Sequence, residues 1–546
     1  MIFDVASLAV DRELTASICI VGAGAAGITL ACELDGCGVD VLLLDSGHGQ
    51  RGEPYEGAAD APHAPPALYR RLGFGGTTGL WGGRCVPYDP IDFERRDYVP
   101  DSGWPIPYAE VAAHYPAAMA YCDAGRNDFT ASGSVRGARP QLPGVQHSAL
   151  ELDRLERYSL PTDFGRRHGR RLARSGNVRI VRDAHVLNLR KAAGGGRIEG
   201  LDFVDGAGRR RRCRADIVVL AMGGLETTRL LLASDPAGPG LGNRSGHLGR
   251  YYQCHVGGVV GVLRPRWPGT VFHFEKTLDG IYAKRKIQIA AAAQRRERLP
   301  NIAFRLHYPD MSDPSHGSAV LSSLYLFKHA LPAEYRRILQ HGSGEGVQAH
   351  ISRHLRNLAF GLPAFLGFGL DWARRRVLAQ RKLPYVLVAN RDGSFPLDFN
   401  AEQMPLRDSR VELGPDHDRH GVPRLVVRWR KSDADVEAIW RAFHVLRDGL
   451  QSEGHCALEF ESGKLRQALQ EAGPVGGHHI GTARMAADAG AGVVDSDCAL
   501  FELPNLHLAS AAVFPTSSHA NPTLTIVAMA IRLAAHLRRG AAGRPA

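Results

Sequence analysis

The chain has 546 residues, 44% of them hydrophobic and 23% charged, a globular composition too long for one ordinary core, so two or more lobes are expected. Its formal charge of +11 comes mainly from arginine clusters such as Arg166–Arg174 and Arg209–Arg214, which sit beside glycine turns without interleaved aromatics and read as a solvated basic face, with no nucleic-acid partner expected. Nine scattered cysteines without a CxxC pair speak against a disulfide framework, a zinc ribbon, an iron–sulfur cluster or an attached haem, and no metal is expected. No apolar run is long enough to span a bilayer, and the first residues lack a basic region followed by an apolar stretch. The expected compartment is the cytoplasm.

In chain order, the first strong pattern is Ser17–Ser46. A short apolar run, Ile18–Val21, meets Gly22-Ala23-Gly24-Ala25-Ala26-Gly27, an alanine-rich helical segment follows, and a second β-like run, Val39–Leu44, ends in Asp45. This is the order of a βαβ nucleotide-binding unit, with a diphosphate at the helix N-terminus and Asp45 accepting from a ribose hydroxyl. The segment fits NAD and FAD equally. From Asp45 to about Tyr69 the chain reads as a surface loop. Leu72–Tyr115 opens with Gly73, Gly75, Gly76, Gly79, Gly82 and Gly83 around Thr77, Thr78 and Trp81. Its backbone can approach a ligand closely, and a bulky indole inside the run requires a surface to pack on.

From Gly176 the pattern is β-like over Val178–Arg182, Ala184–Arg190, Gly200–Val204 and Cys213–Ala221, and then passes through Gly223-Gly224 into a helix, Leu225–Ser234. The nucleotide domain therefore resumes after an insertion. Farther on, Gly257–Leu263, Lys286–Ala292 and Ala319–Phe327 read as strands, and Arg407–Leu413 with Leu425–Trp429 as a hairpin. Its turn holds Asp416, His417, Asp418 and His420, read as a polar loop in preference to a cation site. His350 and His354, four apart on a helix, read as an exposed basic face. Ala349–Arg376 reads as a helical hairpin packed on the second lobe, with an interfacial helix or a partner-binding surface as the other readings. The last part holds GGHHIGTARM (Gly476–Met485), a short strand Leu506–Ala509, a turn His519–Thr523, and an apolar helix Thr523–Leu537 with Pro522 at its start.

Together these motifs resemble the glucose–methanol–choline (GMC) family of FAD-dependent oxidoreductases, in the style of bacterial members acting on sugars and glycosides. The likeness rests on GAGAAG with its acid, FGGTTGLWGG, ADIVVLAMGGLETTRLLLAS, H-x-x-G-T-x-R-M and NPTLTIVAMA, and covers roughly residues 15–120, 176–255 and 400–540. It implies an α/β fold: a discontinuous doubly wound FAD-binding domain (1–120, 176–255 and 476–546) with an inserted α+β substrate-binding domain on a large, mostly antiparallel sheet (121–175 and 256–475). Gly22, Gly24, Gly27 and Asp45, with Ala25, Ala26 and Ser46, would hold the ADP half. Gly75, Gly76, Thr77 and Thr78, with Trp81, Gly82 and Gly83, would line the diphosphate and flavin side. Val186 would meet the adenine through its backbone, and Ala221, Gly223, Ser510, Ala511, Pro522 and Thr523 would complete the cofactor site. The start of the last helix would face the flavin C2 carbonyl. Relatives with covalent FAD carry a histidine just before the tryptophan of the glycine loop. Leu80 stands there, so a dissociable FAD is expected. Ser510 occupies a position where relatives often carry Asp or Gly.

The implied activity is oxidation of an alcohol to a carbonyl. The histidine three residues before the glycine of H-x-x-G-T is the base, which is His478 here. His479 is the rival, but adjacent side chains on an extended backbone face opposite ways and the spacing favours His478. Asn521 matches the second catalytic position, where its amide can bond the substrate oxygen; Asn also suits a helix N-cap. His519 reads as a supporting or rim residue. The expected partners are a small-molecule alcohol and dioxygen or another electron acceptor. A non-redox flavoprotein of the same fold, and a flavin subunit docking on a separate acceptor, are the alternatives.

Overall fold

The strand Leu14–Val21 lies near the middle of a nine-stranded sheet in the computed structural model, which describes residues 2–5, 13–47, 57–60, 63–327, 351–452 and 454–542. Its parallel neighbours run in the order Ile2–Asp4, Val178–Arg182, Val41–Leu44, Leu14–Val21, Arg210–Leu220 and Leu503–Leu508. All four residues of Val41–Leu44 are buried, as a parallel strand covered on both faces requires. The carboxyl ends of the central strands converge through Gly22 N–H to Leu44 O, Ala221 N–H to Val21 O and Ala509 N–H to Leu220 O, each 2.8 Å. The crevice beyond such ends is where ligands bind in open α/β sheets. Helices Ala25–Glu33 and Thr523–Ala542 pack on each other against the sheet. Strands His185–Lys191 and Ile198–Val204 extend Arg210–Leu220 as an antiparallel meander.

A second nine-stranded sheet is antiparallel. Its order is Cys456–Glu459, Gln253–Pro265, Phe395–Ala401, Ile302–Leu306, Tyr282–Ile289, Leu150–Tyr158 and Arg84–Cys85, with Pro474–Ile480 added on Gln253–Pro265. One face is covered by the helix Asp433–Gln451, whose Phe443 ring meets Phe304 at 5.1 Å and Phe399 at 5.3 Å. A capping box between Ser432 and Asp435 starts that helix. His255 and Asn400 of this sheet meet at 3.0 Å, and His255 in turn meets His478.

Several expectations need correction. The boundaries set at 255/256 and 475/476 fall inside the strands Gln253–Pro265 and Pro474–Ile480, and Arg84–Cys85, placed with the nucleotide domain, is an edge strand of the antiparallel sheet. The expected loop before Tyr69 contains a strand, Gly57–Ala59, which pairs in parallel with Pro423–Arg428 of the hairpin. Ala319–Leu326 is a helix, with the Ser318 hydroxyl accepting from Leu321 N–H; a short, mostly apolar run fits both periods, and the cap decides. His354 is fully buried, stacked on Tyr325 at 4.4 Å. His350 lies outside the described residues.

Candidate active site

A cavity of about 1150 Å³ runs along the crevice from Asp45 to His478. It is lined by Gly22, Gly24, Ala25 and Ala26 of the first turn, by Asp45 and Ser46, and by Gly76, Thr77, Thr78 and Trp81 of the glycine loop. Ala221, Gly223, Ser510, Ala511, Pro522 and Thr523 close it. Val186 lines an adjoining cavity of about 710 Å³. Gly27 lies beneath the turn: a Cβ there would stand 1.9 Å from Gly22 O. Gly22 has φ +102°, and a Cβ on it would meet Ala221 O at 2.9 Å. The glycine loop docks on this turn through Gly75 N–H to Ala23 O, 2.8 Å. Thr78 holds the loop together, donating to Gly75 O (2.6 Å) and accepting from Phe164 N–H (3.1 Å). Gly82 and Gly83 are not among the lining residues; Gly83 O accepts from Ser159 N–H at 2.8 Å and joins the loop to the antiparallel sheet.

The donor set fits FAD. Asp45 Oδ2 is buried without a hydrogen-bond partner, and burial pushes the carboxyl up to about 7 against the backbone N–H groups of Gly47 and Ala23. An orphaned acceptor at the end of a cavity calls for a donor such as a ribose hydroxyl. At the other end the helix Thr523–Ala542 begins beside the cavity, where its first-turn N–H groups lack helical partners and its dipole is positive.

The His478 end is built from four separate stretches. His478 Nδ1 lies 2.9 Å from His255 Nδ1, and His478 Nε2 lies 2.9 Å from Asn521 Nδ2. His255 Nε2 is 3.1 Å from Ser517 O, to which it must donate. Burial pushes the His255 imidazole down to about 3, so it is neutral and its Nδ1 accepts. Asn400 Nδ2 donates to that same Nδ1 at 3.0 Å and to His519 O at 2.6 Å. His478 therefore donates from Nδ1 and keeps a lone pair at Nε2, on the side of Asn521. Burial first, then His255, His479 and Arg84, hold His478 well below the ordinary imidazole range. His255 and Asn400 carry no motif in the sequence; strand pairing brings them together. His519 is buried, 3.0 Å from Lys286 Nζ and 3.4 Å from Asp89 Oδ2, so it braces the site from inside and is not a rim residue.

His479 faces the other way, as strand alternation requires. His63 Nδ1 donates to Ala64 O at 2.6 Å, so its Nε2 accepts from the Tyr252 hydroxyl at 2.9 Å. Tyr252 Oη in turn accepts from His479 Nδ1 at 2.7 Å. His479 Nε2 is then a buried lone pair without a partner, on a residue lining the cofactor cavity. Cys254 Sγ donates to His478 O at 2.9 Å, and burial pushes its thiol up to about 12. The ligand atoms of His63, Cys254 and His479 lie within 4.8 Å of one another, but the Tyr252 hydroxyl sits among them at 2.7–3.3 Å and makes them a hydrogen-bond hub.

The sheet face beyond His478 is strongly polar. Glu156 is buried between Arg305 (3.0 Å) and Arg84 (3.4 Å), and Arg305 also pairs with Asp398 at 2.7 Å. Burial alone would raise the Glu156 carboxyl, but Arg305 and Arg84 overcome it and bring it down to about 2. Lys284 Nζ donates to Tyr385 Oη at 3.0 Å. The hairpin loop also has a role that its composition did not disclose. Asp418 pairs with Arg229 at 2.6 Å and His420 packs on His185 at 4.8 Å, beside Val186 in the smaller cavity.

Residues 405–530 match the family model described as GMC oxidoreductase. This stretch is thus similar to the C-terminal region of GMC oxidoreductases. It is 22% identical over 586 residues to a 2-methyl-1,2-propanediol dehydrogenase of Mycolicibacterium austroafricanum, covering 96% of this chain and 95% of that protein. It is 23% identical over 579 residues to a paromamine 6'-oxidase of Streptomyces fradiae, covering 96% and 91%. A C-glycoside 3-oxidase of Arthrobacter globiformis is 34% identical over 118 residues, 21% of each chain. Among solved structures, pyridoxine 4-oxidase from Mesorbium loti superposes with a TM-score of 0.53 at 16% identity, covering 96% of this chain and 99% of that one. An FAD-dependent oxidoreductase from Chaetomium thermophilum gives 0.54 at 14% identity, covering 96% and 100%. Among the described residues, no helix is long and apolar enough to cross a membrane.

Proposed function

We propose that the chain is a GMC oxidoreductase that holds FAD without a covalent bond and converts a CH–OH group of a sugar, glycoside, aminoglycoside or other polyol to the carbonyl, with His478 as the base. The observation that carries the reading is the chain of contacts from Ser517 O through His255 and His478 to Asn521, which leaves one basic lone pair, at His478 Nε2, beside one amide donor. Asn521 Nδ2 donates to the alcohol oxygen and fixes it, and His478 Nε2 takes the hydroxyl proton. His255 holds the reactive tautomer. Bound FAD supplies the acceptor for the hydride that leaves the carbinol carbon.

A hydroxyl-bearing substrate is supported by the pairing of one base and one amide donor at His478 and Asn521. Dissociable FAD is supported by Leu80 next to Trp81 in the glycine loop. Dioxygen or another carrier takes the electrons afterwards. The reading is tested by incubating the purified protein, in air and in parallel with an added quinone acceptor, with a panel of sugars, glycosides, aminoglycosides and polyols and weighing the products. Loss of two hydrogens from one class supports it. Cleaved or unchanged substrate throughout, with flavin bound, points to non-redox chemistry and contradicts it.

A further inference from the structure

The helix Leu362–Trp372 reads LPAFLGFGLDW, carries one charged residue, and buries none of its side chains. A helix of that composition belongs in a core, yet Leu366 is 57% and Leu370 76% exposed, with Phe360 at 84% before it and Leu378 at 79% after it. Twelve large hydrophobic side chains are exposed among the described residues, and nine of them fall between Phe327 and Leu378. Contiguous apolar surface of this kind marks an interaction face.

The face stands on a fixed base. The preceding helix, Ile351–Phe360, is pinned by the buried His354, whose Nδ1 is 3.0 Å from Ser322 Oγ, and by Asn357, which donates to Pro314 O at 2.8 Å. After Leu378, Lys382 N–H donates to Leu160 O at 3.2 Å, and Leu383 packs in the cluster of Tyr158, Phe274 and Tyr282. The exposed side chains are thus presented by a segment that is anchored at both ends. It carries cations almost exclusively. Residues 351–382 hold Arg353, Arg356, Arg374, Arg375, Arg376, Arg381 and Lys382 against Asp371 alone, seven positive charges to one negative.

We propose that this hairpin docks the protein on an anionic lipid surface, with Phe360, Leu366, Leu370 and Leu378 entering the headgroup boundary and the arginines meeting lipid phosphates. Apolar face and basic flank together are the chemistry of an interfacial helix. Eleven residues in Leu362–Trp372 rise about 16 Å, half of a hydrocarbon core, so the helix lies in the surface and does not cross it. Arg375 pairs with Asp371 and Arg381 with Asp123, but the segment keeps a net positive charge, and a second copy on the same face would set two such basic segments against each other, which charge disfavours. Arg376 also lines a cavity of about 830 Å³ with Leu80, Trp81 and Thr162 at the outer side of the glycine loop. Docking therefore sets that opening beside the bilayer, within reach of a lipid-dissolved substrate or electron acceptor. The docking inference stands independently of which alcohol is oxidised.

The test is co-sedimentation of the full-length holoprotein with vesicles of phosphatidylcholine alone and of an equal mixture of phosphatidylcholine and phosphatidylglycerol. The wild type is expected to sediment with the mixed vesicles, less so in high salt. The double variant Phe360→Asp/Leu370→Asp should lose about tenfold or more of that binding, with FAD content and monomer mass unchanged. Wild type remaining in the supernatant with both vesicles overturns the proposal, as does equal binding by the double variant. A wild-type dimer in light scattering that the double variant converts to monomer assigns the face to a second copy, and also overturns it.

Discussion

His255 and His478 face each other through their Nδ1 atoms at 2.9 Å, and one partner already has its other nitrogen committed to the Ser517 carbonyl. Only one distribution of protons satisfies this contact between two neutral rings. It puts the lone pair of His478 at Nε2, and under the proposed function His255 is then the residue that fixes the reactive tautomer. His255→Ala removes the acceptor that fixes this tautomer, and the rate of anaerobic flavin reduction should fall about 10²-fold, with a smaller loss in His255→Asn, which can offer an acceptor. Stopped-flow absorbance with saturating alcohol reads the difference.

The pH dependence has a definite sign. His478 is held well below its ordinary value, and His255 and His519 are pushed down to about 3 and about 4. The base thus stays neutral as pH falls through the normal imidazole value of about 6.5, and flavin reduction should show no break there. The unfolded chain binds these protons first, so the stability these histidines contribute is fully present above about 6.5 and is lost as pH falls toward their folded values. Urea midpoints measured from neutral to mildly acid pH should decline while the reduction rate stays level.

Asp45 carries the clearest prediction for the cofactor. Its carboxyl is pushed up to about 7 by burial, and donation by ribose hydroxyls favours the ionised form. FAD affinity should weaken as pH drops below about 7. Asp45→Asn should bind FAD about ten- to a hundredfold less tightly and lose this pH dependence, since a bond to a charged acceptor is worth about 1.5–3 kcal/mol. Fluorescence titration of apoprotein with FAD measures both.

Tyr252 tests the hub behind His479. Tyr252→Phe removes the acceptor of His479 Nδ1–H, frees the ring to change tautomer, and so takes away the buried Nε2 lone pair offered to the cofactor. FAD should dissociate several-fold faster, with a shifted flavin spectrum, about what one net hydrogen bond provides. An unchanged dissociation rate and spectrum would show that the hub serves packing alone.

A further prediction concerns stability alone. Arg96 and Glu402 form a two-pronged pair at 2.8 and 2.6 Å, with side chains 2% and 0% exposed. Glu402→Ala leaves a buried guanidinium uncompensated and should cost about 3–5 kcal/mol, read from chemical denaturation.

What the sequence discloses and what it hides divide along physical lines. Gly22 to Gly27, Asp45, the glycine loop and the stretch from Gly476 to Met485 are legible because each acts through backbone and side chains close in sequence. His255 and Asn400 are not, because the antiparallel sheet brings them to His478 from 223 and 78 residues away, with no local pattern to mark them. The run Ala319–Leu326 is read as a strand because a short, mostly apolar run satisfies either period, whereas the Ser318 cap and packing against Ile351–Phe360 make it a helix. The hairpin turn with Asp418 and His420 looks like ordinary loop chemistry until tertiary structure folds it over the smaller cavity. The apolar helix Leu362–Trp372 is legible as a helix, but composition alone assigns it to a core that the structure does not give it.

The central claim is that His478 Nε2 is the base for alcohol oxidation. Its most direct test is the visible band of the bound flavin, followed without oxygen as the substrate panel is added to the wild type and to His478→Ala. The account predicts bleaching by one class of hydroxylated substrate in the wild type and a rate at least about 10²-fold lower in the variant with FAD still bound. Bleaching at the same rate in both proteins would contradict it.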